Sequence, residues 1–222
     1  MNRIHEAFTA RSEKKLLLWI AARLPLSVTP DRLTAFGVLG SLISFLSYLA
    51  CWLSPDFLWL ASAGLVIQWM GDSLDGTLAR LRRIERPRYG FIVDHSTDIV
   101  SQLMFAIGIG LSPYLHLASA LLALVAYLAV TAVSFIRLHV TGDLHLSYGK
   151  IGPTEMRLLL ILGNVLLYFF GAMPIRLFQM RFGVPDLVAL AIFAFGVGSA
   201  TTGAWSTARQ VAEAEEPSSA PG

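Results

Sequence analysis

Asp72-Ser73-Leu74-Asp75-Gly76-Thr77-Leu78-Ala79-Arg80, then nine residues, then Gly90-Phe91-Ile92-Val93-Asp94-His95-Ser96-Thr97-Asp98, is the stretch that decides how this chain is read. It holds Asp72, Asp75, Asp94 and Asp98, four of the fifteen acidic side chains in the sequence. All four lie at the ends of strongly apolar runs, where an ionised group is costly unless something compensates it. Asp72 and Asp75 are three apart and Asp94 and Asp98 are four apart. On helices each pair shares a face. Two such helices joined by a short loop aim four carboxylates into one pocket, and four negative charges held together call for cations. Carboxylate oxygens without thiols favour hard ions such as Mg²⁺ or Mn²⁺.

Working outward, the 222 residues are 55% hydrophobic and only 14% charged, with a mean hydropathy of +0.62. Soluble domains carry nearer a quarter of charged residues, so the composition predicts an integral membrane protein. The length allows six spans of ~20 residues and leaves no room for a separate soluble domain. The expected fold class is all-α: six transmembrane helices preceded by an interfacial amphipathic helix. The spans are expected at about Leu33 to Leu53, Phe57 to Ala79, Gly90 to Leu111, Tyr114 to Arg137, Thr154 to Ala172 and Pro185 to Trp205. Three parts follow: an N-terminal segment 1–24, a six-span domain 25–208, and an acidic, small-residue tail 209–222 expected to be disordered.

Residues 16–24 (LLLWIAARL) are too short to span and sit among basic residues. They read as a helix lying in the interface with Trp19 at headgroup depth, or as a cap packed on the bundle. No apolar core follows a short basic start, so a cleaved signal peptide is not expected. Pro25 ends that helix, and Ser27 or Thr29 with Pro30 supplies the start of the next. Residues 80–89 read as a loop with five arginines, and 173–183 as another loop. The single Cys51 excludes an intrachain disulfide and reads as a small core hydrophobe.

The net charge of +2 says little by itself, and no nucleic-acid partner is expected. Its distribution says more. Of the 17 Lys and Arg residues, only Arg176 and Arg181 fall on the side away from the motif loop. That asymmetry predicts a cytoplasmic motif and cytoplasmic termini, in a multi-pass protein of the cell (inner) membrane.

The pattern D-x-x-D-G-x-x-A-R…G-x-x-x-D-x-x-x-D resembles the signature of the CDP-alcohol phosphotransferase (CDP-alcohol phosphatidyltransferase) family. Asp72, Asp75, Gly76, Ala79, Arg80, Gly90, Asp94 and Asp98 fill its eight specified positions, with a spacer, Leu81 to Tyr89, one residue longer than is usual. The resemblance covers about residues 25–160. It implies transfer from a CDP-linked donor to a lipid or small-alcohol acceptor, with release of CMP, in phospholipid synthesis. It also implies that Asp72, Asp75, Asp94 and Asp98 bind two Mg²⁺ or Mn²⁺ ions, that Asp72, Gly76, Ala79, Arg80 and Gly90 serve the CDP moiety, and that a homodimer is possible. Gly76 and Ala79 fit close approach of a nucleotide or of a neighbouring helix. Arg80 fits nucleotide phosphate, or a side chain snorkelling to the interface. Arg82, Arg83, Arg86 and Arg88 are expected to meet anionic lipid.

Two residues remain as the general base. The family favours its last aspartate, here Asp98. The other is His95, since imidazole is the side-chain type whose unperturbed pKa lies near neutrality, and D-H-S-T-D is similar to the choline/ethanolamine phosphotransferase branch, as is Thr141-Gly142…Gly152-Pro153-Thr154-Glu155. In that branch a CDP-aminoalcohol is the donor and diacylglycerol the acceptor. Many relatives instead move a phosphatidyl group from CDP-diacylglycerol to a small alcohol. Arg137 and Lys150, flanking one expected loop, are candidates for holding an acceptor phosphate or for a belt of side chains snorkelling to the interface. Two rival readings exist. A cation transporter would explain the aspartates but not the glycines, Ala79 and Arg80 at this spacing, and no internal repeat is found. A catalytically inactive lipid-binding relative does not fit the complete aspartate set.

Overall fold

A computed structural model of the chain describes residues 10–142, 153–177 and 180–215. Among these, seven helices and one hairpin follow in order: α1 Ala10–Ala21, α2 Pro30–Ala50, α3 Phe57–Arg82, α4 Pro87–Gly110, α5 Leu117–Thr141, α6 Pro153–Phe170, β1 Pro174–Leu177, β2 Met180–Gly183 and α7 Val184–Glu215. Three of them, α2, α5 and α7, are long and apolar enough to cross a membrane by length and composition.

Local chemistry sets the boundaries. Thr29 stands extended before α2, its side chain accepts from the Arg32 N–H at 3.3 Å, and Pro30 fills the first turn. Helix α3 runs three residues past Ala79 because arginine is a good helix former. It ends where Arg83 turns left-handed at φ 56°, and Ile84 N–H closes on the Ala79 carbonyl at 3.0 Å. Pro87 then opens α4. The loop expected at 80–89 is therefore only 83–86, which draws the two halves of the motif close together.

Helices α2 and α3 make the most extensive pairing; α3 also carries α1 and α6, α2 also meets α4, and α5 joins α4 to α7. Small residues allow the close approach. A Cβ on Gly40 would stand 2.5 Å from Gln68 N and 2.7 Å from Gly64 O, so bare backbone meets bare backbone there. Hydroxyls bind the helices where the glycines bring them together: Ser44 Oγ donates to Ala61 O at 2.8 Å and Ser41 Oγ to Ser101 Oγ at 2.8 Å. Deeper along the same helices, Tyr48 donates to Asn164 Oδ1 at 3.0 Å and Asn164 to Ser62 Oγ at 3.0 Å, fastening α2, α6 and α3.

Several boundaries differ from the sequence expectation. The N-terminal helix starts earlier than expected, at Ala10, and one of its faces is packed: Leu17 and Ala21 are buried with Leu33, Leu74 and Leu78. Leu16, Leu18 and Trp19 face outward. The expected loop 173–183 holds an antiparallel hairpin with Pro174 opposite Gly183 and Leu177 opposite Met180. Helix α7 continues through residues 209–215, expected to be tail, since Ala, Arg, Gln and Glu there all favour helix. Residues 216–222 lie outside the described residues.

Candidate active site

The four aspartates come from two neighbouring helices. Asp72 and Asp75 stand one turn apart near the C-terminal end of α3, and Asp94 and Asp98 one turn apart in α4. Carboxylate oxygens of Asp72, Asp94 and Asp98 all lie within 4.8 Å of one another. Their side chains retain 20%, 31% and 30% of their exposure, so the cluster is open enough to admit a ligand.

Asp75 is held differently. Its Oδ2 accepts from Thr34 Oγ1 at 2.6 Å, and its Oδ1 accepts from the Gly76 N–H at 2.5 Å. Thr34 is thus the contribution of α2 to this end of the site. A polar pocket lined by Thr34, Gly37, Val38, Gln68, Asp72, Thr97 and Ser101 adjoins the cluster, and Gln68 Oε1 is buried without a partner among the described residues.

The sequence reading missed Arg157, which was counted only among the positive charges. It is buried on α6, where its Nη2 donates to Asp72 Oδ2 at 2.6 Å and lies 3.8 Å from Asp98 Oδ1. An arginine four residues into an apolar helix was the available signal, because intramembrane charge marks function by default. Its guanidinium offsets part of the repulsion among the carboxylates.

His95 is similarly sequestered. Its Nδ1 lies 3.1 Å from Asp94 Oδ2, and its ring stands between Phe91 at 4.3 Å and Phe135 at 5.1 Å. Nε2 is buried without a hydrogen-bond partner among the described residues. The carboxylate that orients this imidazole is Asp94.

Residues 27–200 match the family model for CDP-alcohol phosphatidyltransferase. The chain belongs to that family. A comparison with curated proteins found no match. Membership makes it a transferase of phosphate-bearing groups in a membrane-embedded, generally metal-dependent family, and the aspartate cluster is a group that could hold a metal ion. The donor set fits such an ion: among the described residues the group is made of three carboxylates with no thiol or imidazole, which suits a hard divalent cation.

The other family positions fall around this centre. Arg80 is exposed and folds back over Gly76, where a Cβ would meet its Nη1 at 3.2 Å; its Nη2 lies 3.4 Å from Thr77 Oγ1. Gly76 therefore makes room for a guanidinium. Ala79 accepts the closing hydrogen bond of α3. A Cβ on Gly90 would meet nothing within 4 Å, so packing inside the chain gives no reason for glycine there.

Arg82 and Arg86 depart from the expected lipid contacts. Arg82 donates to the carbonyls of Val28, Leu24 and Pro25 at 2.6, 2.9 and 3.0 Å, tying the α1–α2 turn to α3. Arg86 pairs with Asp31. Arg137 stands near the end of α5 with Nε buried and unpartnered among the described residues; Lys150 and Gly152 lie outside them.

Proposed function

We propose that this chain is a six-span membrane enzyme that transfers a phosphoalcohol or phosphatidyl group from a CDP-linked donor to a hydroxyl acceptor, releasing CMP. The observation that carries this reading is the meeting of Asp72, Asp94 and Asp98 within 4.8 Å, inside a family match over residues 27–200. Helices α3, α4 and α6, of 26, 24 and 18 residues, are proposed as the other three spans, and the excess of Lys and Arg on the motif side supports a cytoplasmic site.

Asp72, Asp75, Asp94 and Asp98 are the residues that would hold two Mg²⁺ or Mn²⁺ ions. Such ions supply charge neutralisation to a pyrophosphate and to the departing phosphate of CMP. Gly76, Ala79, Arg80 and Gly90, with Asp72, form the surface for the CDP moiety, Arg80 offering a planar donor fork to phosphate oxygens. Arg157 holds Asp72 and Asp98 in register and faces the site with a fixed positive charge. Arg137 and Lys150 are proposed to receive a phosphate-bearing acceptor.

For the base, His95 is preferred to Asp98. With Nδ1 donating to Asp94, Nε2 carries the lone pair and is the proposed acceptor of the attacking hydroxyl's proton, which requires the substrate to open the buried face of the ring beside Phe91 and Phe135. The attacking oxygen bonds to the phosphorus that bears the alcohol, the pyrophosphate P–O bond breaks, and its electron pair leaves on CMP. Asp98, paired loosely with Arg157, is left to hold charge instead.

The donor is tested by measuring CMP release from purified chain with two donors in parallel. One is CDP-diacylglycerol with small alcohols and alcohol phosphates; the other is CDP-choline or CDP-ethanolamine with diacylglycerol. Turnover with the second alone assigns the aminoalcohol branch that D-H-S-T-D resembles. Turnover with the first alone assigns phosphatidyl transfer. No turnover with either, from folded protein, favours an inactive lipid-binding relative and overturns the proposal.

A further inference from the structure

Glu13 occupies the first turn of α1, away from the acidic cluster, yet it touches α3, which carries Asp72, and α6, which carries the Arg157 paired with it. Its Oε1 accepts from Trp69 Nε1 on α3 at 3.0 Å and from Thr154 Oγ1 on α6 at 3.0 Å. Trp69 lies three residues before Asp72, and Thr154 lies three residues before Arg157. Residues three apart share a helix face. Helices α3 and α6 are thus joined at two levels one turn apart, by the Glu13 carboxylate at one and by the Arg157–Asp72 pair at 2.6 Å at the other. The contacts form a closed ring: Glu13 to Trp69, along α3 to Asp72, across to Arg157, and along α6 to Thr154 and back to Glu13.

We propose that Glu13 is a positioning residue for Arg157, acting through Thr154 and the first turn of α6. A carboxylate accepting two neutral donors makes charge-assisted hydrogen bonds, the stronger kind, and Leu17 and Ala21 anchor its helix to Leu33, Leu74 and Leu78. Helix α1 is then part of the catalytic frame as well as a membrane-surface element. The inference rests on the proposed transfer reaction at Asp72, Asp94 and Asp98.

The test uses the full chain in lipid nanodiscs, with Glu13→Ala, Glu13→Gln and Thr154→Val made in the wild-type and Arg157→Lys backgrounds. Glu13→Ala and Thr154→Val are each expected to lower kcat for CMP release about tenfold, with KM for the donor little changed. Glu13→Gln keeps an accepting oxygen and restores most of the rate. In Arg157→Lys, Glu13→Ala adds no further loss. Full kcat in Glu13→Ala, or an equal loss in both backgrounds, overturns the proposal. If Glu13→Ala does not assemble, Thr154→Val carries the same comparison. Mn²⁺ binding is read on the same proteins: a loosened Arg157 leaves the carboxylates more negative, so Glu13→Ala binds Mn²⁺ more tightly and Glu13→Gln does not. Should the wild-type chain turn over no CDP-alcohol, the transfer reading fails, and Mn²⁺ binding alone decides the positioning role. Unchanged Mn²⁺ affinity in Glu13→Ala would then refute it.

Discussion

Replacing Asp94 by asparagine is expected to lower CMP release on the order of a thousandfold, the rate equivalent of about 4 kcal/mol, while the protein still folds. Asparagine keeps the shape and one accepting oxygen of the side chain. It removes one of the three converging charges, and it weakens the contact that orients His95, since an amide is a poorer partner than a carboxylate for Nδ1 at 3.1 Å. Both consequences act in the transition state, so kcat falls more than the donor KM rises. Mn²⁺ affinity is expected to fall with the rate, because a hard cation loses an anionic oxygen. Turnover within about threefold of wild type, a change worth less than 1 kcal/mol, would remove Asp94 from the chemistry and with it the assignment of His95.

Arg157→Leu is expected to separate two quantities that most damaging substitutions move together. CMP release should fall about a hundredfold, in line with the loss of one preorganised charged donor. Mn²⁺ binding should instead become tighter, by about tenfold, because a positive charge 2.6 Å from Asp72 and 3.8 Å from Asp98 has been taken away. Two opposed trends are hard to obtain from unfolding, which would weaken both. Weaker Mn²⁺ binding in Arg157→Leu would mean that the guanidinium shapes the carboxylates more than it competes with cations. A rate equal to wild type would remove Arg157 from the chemistry.

The aspartates were legible in the sequence because everything that brings them together is local. Spacings of three and four place each pair on one helix face, and the run between Arg80 and Gly90 is short enough to return α4 beside α3. The same locality made the start of α2 readable from Thr29 and Pro30. Arg157 was not legible in this way. It is 85 residues from Asp72, and only the packing of α6 on α3 puts it in the site. Thr34 and Glu13 are of the same kind, single polar residues whose partners lie on other helices.

The misplaced boundaries have local causes of another sort. Runs of arginine and of Ala-Glu look like loop and tail when judged by hydropathy, but both favour helix once an apolar segment has nucleated it. Helix α3 therefore runs on to Arg82 and α7 to Glu215. The hairpin at 174–183 depends on cross-strand pairing, which single-segment composition does not report. Helix α1 bears out its reading as a cap packed on the bundle, since it buries Leu17 and Ala21 there, while Leu16, Leu18 and Trp19 turn outward.

The most direct test of the central claim is CMP release by the purified wild-type chain from a CDP-linked donor, measured after EDTA treatment and again after Mn²⁺ or Mg²⁺ is restored. The account predicts no CMP in EDTA, and recovery of CMP with an equal amount of transferred product when the ion returns. CMP formation that is indifferent to EDTA would contradict the role given to Asp72, Asp75, Asp94 and Asp98.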